Sequence, residues 1–100
     1  MTITKTDNNG ILTIKVEGLL DILSSPELDA EIEKISGFTS LILDFDELKF
    51  MSSSGLRVVI SAYKKAVVSN ANFEIINVPE NVMGVFELTK MNEKFKITQK

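Results

Sequence analysis

Three serines and a glycine follow one another at Ser52, Ser53, Ser54 and Gly55. They lie between Phe50-Met51 and a helix-like run that begins at Leu56. A serine hydroxyl can act as a nucleophile, accept a phosphate or cap a helix. Nucleophilic work needs a base, and the chain has neither His nor Cys. A Ser-His-Asp or Cys-His arrangement is therefore excluded within this chain, and so is an imidazole or thiolate zinc site. "SSSG" lacks the leading glycine of the Gly-x-Ser-x-Gly elbow, and no Gly-Lys-Ser/Thr run marks a P-loop. A Ser-Lys pair would have to draw on Lys64 or Lys65, about two to three turns into the helix. Asp44, Asp46 and Glu47 could be read as a magnesium cluster. They read more simply as a strand end with a solvated turn.

A helix cap and a phosphate or partner site remain. A helix N-terminus offers free backbone N–H groups and about half a positive charge. A serine there satisfies a donor, and a phosphate there is held by the same groups. One serine suffices for capping, which leaves two to explain.

Composition sets the frame around this turn. At 100 residues, the chain reads as one small domain over 1–100. Its apolar fraction of 44% is that of a globular protein. A net charge of −3 argues against a broad basic surface for nucleic acid. Apolar runs such as Leu41–Leu43 and Val58–Ile60 fall far short of the roughly 18–20 residues that span a bilayer. No apolar signal core follows Met1, so the expectation is a cytoplasmic protein without membrane association.

The elements that would position the turn can be read in order. Thr2–Thr6 and the run from Ile11 flank "DNNG", whose Asn-Gly predicts a type I′ hairpin. A first helix follows, with Ser25 as cap and Pro26 at its first position, or with Ser24 and Glu27 as a rival capping box. Leu28, Ile32 and Ile35 form its apolar stripe, and Gly37 would end it. Leu41–Leu43 predicts a central strand buried on both faces. The second helix opens at the serine turn, with Leu56, Val59, Ile60, Tyr63 and Val67 as its stripe. Phe73–Val78 predicts a strand, Glu80–Lys90 a helix weakened by Gly84, and Lys94–Thr98 a closing strand. The order is ββαβαβαβ. This predicts an α/β domain with a mixed sheet of about four to five strands covered by about three to four helices.

"LILDFDELKFMSSSGLRVVISAYKKA" resembles the central signature of the STAS domain, and more narrowly that of bacterial anti-sigma factor antagonists. "VEGLLDILSSPEL" and "FEIINVPENVMGVFELTKMNEKFKI" look like the stretches that flank this signature in the family. The resemblance implies that Ser53 is the phosphoacceptor, with Ser52 and Ser54 as alternatives. It implies a partner surface at Met51, Ser52, Ser54, Gly55, Leu56 and Arg57, extending over the exposed face of the second helix. Ser52 departs from the Asp that usually precedes the acceptor. The partners implied are an anti-sigma factor with serine kinase activity and a separate serine phosphatase. The chain itself would have no catalysis and no cofactor or metal. The alternative reading is a STAS interaction or scaffold module that is never phosphorylated.

Overall fold

The computed structural model describes residues 1–100. The chain forms strands β1 (Thr2–Asn8) and β2 (Ile11–Leu20), helix α1 (Ser25–Lys34), and strands β3 (Ser40–Asp44) and β4 (Leu48–Met51). Helix α2 (Ser53–Val68), strand β5 (Asn72–Val78), helix α3 (Glu80–Leu88), a single 3₁₀ turn (Met91–Glu93) and strand β6 (Lys96–Gln99) complete it. The sheet order is β1-β2-β3-β5-β6, with β4 paired to β2. Only β1 runs antiparallel to its neighbour.

The Asn9-Gly10 turn forms as expected. Both residues have positive φ (53° and 90°), and Asn8 pairs with Ile11 across the loop. Beyond it, β2 partners two strands in succession. Ile11–Lys15 pairs with β3, and Gly18–Leu20 pairs with β4 after a shift in register. Strand β4 is the element absent from the sequence reading. Phe50-Met51, which precede the serine turn, belong to it, and β4 raises the sheet to six strands.

The sheet is covered on one face. Leu12, Ile14 and Val16 of β2, Leu41 and Leu43 of β3, and Ile75 of β5 are buried. Thr13, Lys15, Ile42, Asp44 and Glu74 alternate with them and are only partly buried. The expected burial of β3 on both faces does not occur, because α1 and α2 pack together over one side. On α2 the buried stripe is Leu56, Val58, Val59, Ala62 and Ala66. Val67, expected in that stripe, is exposed, and two alanines take the close positions instead. Tyr63, Phe73, Phe86 and Phe95 form an aromatic cluster, with neighbouring ring centroids 5.0–6.2 Å apart.

The boundaries of α1 also differ from expectation. Ser25 is the first helical residue, and neither Ser24 nor Ser25 caps with its side chain. Both hydroxyls turn back to the preceding loop. Ser24 Oγ donates to Leu19 O (2.6 Å) and accepts from the Asp21 N–H, while Ser25 Oγ donates to Asp21 O. Ile35 is already extended, so the helix ends before Gly37, which turns at φ 72° two residues further on. The carbonyls left at that end are met from another helix. Lys65 Nζ on α2 donates to Ile32 O (2.7 Å) and Glu33 O (3.0 Å).

Candidate functional site

The serine turn sits where β4 ends and α2 begins, at the carboxyl edge of the parallel strands. The Ser52 N–H donates to Leu20 O (2.9 Å), which fixes the turn to the end of β2. Ser52 has extended backbone (φ −92°, ψ 178°), and its Oγ accepts from the Gly55 N–H at 3.3 Å. Ser52 is therefore the N-cap, and its carbonyl accepts the Leu56 N–H at 3.0 Å. Ser53 and Ser54 occupy the first two helical positions, and their N–H groups have no acceptor within the chain.

Gly55 is required by close approach. A Cβ there would lie 2.7 Å from both Leu20 Cγ and Leu20 O, and 2.9 Å from Met51 Cγ. Contacts under 3.0 Å to a backbone oxygen leave no room for a side chain, so the first turn of α2 rests directly on the end of β2.

The three serines thus have different surroundings. Ser52 is engaged as the cap, Ser53 is exposed, and Ser54 is half-buried. Ser54 lines a cleft of about 310 Å³ between the N-termini of α1 and α2, shared with Ile22, Ser25, Pro26, Asp29, Arg57 and Val58. Arg57 is exposed and forms no ion pair within 4.0 Å.

Part of the expected partner surface lies inside. Met51 is 2% exposed and Leu56 8%, and Gly55 is buried. These three residues shape the turn from beneath. Ser52, Ser53, Ser54 and Arg57 remain accessible. Lys64 is also exposed, but lies about 16 Å along the helix axis from Ser53. With Lys65 spent on α1, neither lysine is placed to activate a serine.

The surface beside the turn is more apolar than the sequence reading anticipated. Leu19 and Phe50 pair across β2 and β4 and are half-exposed. Ile22 (72%) and Leu23 (88%) stand on the loop between β2 and α1. That loop is held by Asp21, whose Oδ1 accepts from the N–H groups of Leu23 and Ser24 (both 3.1 Å) and lies 3.1 Å from Ser24 Oγ, whose one proton it shares with Leu19 O. The Ser24 N–H, then its hydroxyl, hold the Asp21 carboxyl below its ordinary value. A signal was present in "GLLDILSS": four large apolar residues surround a turn too short to bury them all.

The acids after β3 are tied up locally. Asp44 Oδ1 accepts from the Asp46 N–H (3.0 Å) and Asn77 Nδ2 (3.1 Å). Asp46 Oδ1 lies 3.5 Å from Lys100 Nζ, and Glu47 lies 3.9 Å from Lys49. No group of three potential ligands converges on a metal position. No helix is long and apolar enough to cross a membrane.

A mixed sheet covered on one face, with a serine turn opening its second helix, defines the class of domain. The STAS domain model matches residues 2–100, and the chain belongs to the STAS domain family. Among curated relatives, it is 21% identical over 101 residues to the anti-sigma-B factor antagonist of Staphylococcus aureus. That match covers 99% of this chain and 94% of the relative. It is 25% identical to the anti-sigma-F factor antagonist RsfB of Mycobacterium tuberculosis over 65% of this chain, a match that spans only about half (55%) of that relative. Among solved structures, an anti-sigma factor antagonist from Mycobacterium paratuberculosis superposes with a TM-score of 0.90 at 21% identity, covering 99% of this chain and 86% of that one. The phosphorylated form of SpoIIAA from Bacillus superposes at 0.76 with 19% identity, covering 96% and 90%.

Proposed function

We propose that this protein is an anti-sigma factor antagonist that works by partner switching. The unmodified chain binds an anti-sigma factor that is also a serine kinase, and sigma factor is released. The kinase transfers the γ-phosphoryl group of ATP to Ser53 Oγ. ADP leaves, and the hydroxyl proton passes to a base on the kinase, since this chain offers none. A serine phosphatase hydrolyses the phosphate and restores the binding form. The kinase meets its substrate in the cytoplasm.

The observation that carries the reading is the division of labour among the serines. Ser52 is committed to the cap and Ser54 faces the cleft, so Ser53 alone presents an unengaged, exposed hydroxyl. Ile22 lines the cleft with Ser54 and Arg57, and Leu19, Leu23 and Phe50 are exposed at the same end of β2 and β4, apolar area suited to a protein partner. A phosphate brings about −1.5 to −2 charges. Each ~1.4 kcal/mol of repulsion or desolvation weakens binding tenfold. A few kcal/mol therefore suffice to switch, with no refolding. The antagonists named among the relatives, and the solved phosphorylated form of SpoIIAA, support the same reading.

Intact-mass analysis of the protein from its own host, with and without phosphatase, tests the modification. One phosphatase-sensitive phosphate mapped to Ser53 is expected. An unmodified mass under every growth and stress condition would favour the constitutive interaction module instead.

A further inference from the structure

We infer that Arg57 clasps the Ser53 phosphate in cis, so that phosphorylation removes the cation from the partner surface as it adds the anion. The inference rests on Ser53 being the acceptor. Ser53 and Arg57 are four residues apart on α2, the spacing at which side chains meet on one helix face. Arg57 is the only arginine in the chain. It is exposed and has no carboxylate within ion-pair distance. Asp29 lines the same cleft but is not within 4.0 Å of the guanidinium. The other cations of α2 are not available. Lys64 is about 16 Å away along the axis, and Lys65 is bound to the end of α1.

A phosphate on Ser53 would meet two kinds of donor. The free N–H groups of Ser53 and Ser54 hold it from the helix side. The planar guanidinium closes over it with paired N–H bonds, a geometry that an ammonium does not reproduce. In the unmodified protein, Arg57 is free to meet an acidic group of the partner beside the apolar residues. In the modified protein it is neutralised at home. The local surface then changes by the phosphate charge and by the loss of one displayed cation, from a single chemical event.

The lone arginine makes the test direct, because its Nε–Hε gives one side-chain resonance. Phosphoserine is installed at position 53 by genetic code expansion, which makes the measurement independent of whether the host ever modifies Ser53. The expected result is a displaced Arg57 Hε resonance that exchanges more slowly with water than in the unmodified protein. In thermal melts, the phosphate should raise Tm more in the native background than in Arg57→Gln, by roughly 2–6 °C. Arg57→Lys should recover only part of that difference. An unmoved Hε resonance overturns the inference, and so does an equal phosphate effect on Tm in both backgrounds. Failure to find phosphate on Ser53 in cells counts against the proposed function and leaves these readings unaffected.

Discussion

At the scale of single residues, the serine turn explains its own redundancy. Ser52 performs the capping that a turn into a helix needs, and Ser and Asp are close to equivalent at an N-cap. An Asp at this position would cap the same helix end. Ser52→Ala should cost about 1 kcal/mol in denaturant unfolding, whereas Ser52→Asp should leave stability unchanged or slightly raised by the helix dipole. Equal losses for both variants would show that the hydroxyl does something other than cap. Asp21 makes a second prediction at this scale. Its folded-state pKa lies below the ordinary carboxyl value because Ser24 and Leu23 donate to the charged form. Stability from these bonds is complete above the ordinary value and is lost as pH falls through about 4 and below. Glu31 behaves alike, held down by Lys34 first and then Lys5. Acid unfolding followed by circular dichroism should therefore be less steep in Asp21→Asn than in the native chain. Parallel curves would remove Asp21 from the account.

At the scale of elements, the two helical glycines do opposite things. Gly55 lies against the end of β2, where a Cβ would fall 2.7 Å from Leu20 O. Gly84, in the middle of α3, has nothing within 4 Å of where a Cβ would stand. Gly55→Ala should destabilise by about 1–3 kcal/mol through overpacking and displace the serine turn. Gly84→Ala should stabilise by roughly 0.5–1 kcal/mol through helix propensity. Chemical denaturation of the pair checks both signs, and matching signs would contradict the packing described. The sequence distinguishes these glycines poorly, because the neighbour that decides Gly55 is 35 positions away in the chain, Leu20. Local signals fared better. Asn9-Gly10 wrote its hairpin plainly, because only certain residues accept positive φ at two successive positions. Strand β4 was hidden, because its outward residues Lys49 and Phe50 and its short length resemble a loop leading to a helix. The stripe on α2 was misplaced by one face edge, because Ala62 and Ala66 bury completely while carrying little apolar signal.

At the scale of the whole molecule, one end of the sheet gathers the features the proposed switch requires: an exposed hydroxyl, a free cation and four accessible apolar side chains. The serine turn was legible from sequence, since three successive serines exceed what one helix cap needs. The apolar neighbours were not, since exposure depends on which loop residues the fold leaves uncovered. Ile22→Ser with Leu23→Ser should leave the melting temperature within a degree or two, as expected for exposed positions, yet weaken partner binding by about tenfold or more. Unchanged affinity would place the interface elsewhere. The most direct measurement compares the affinity of the host's anti-sigma factor for two forms of the full chain, unmodified and carrying phosphoserine at position 53, by titration calorimetry at one salt concentration. The account predicts firm binding of the unmodified form and at least a tenfold loss with the phosphate in place. Equal affinity for the two forms would contradict it.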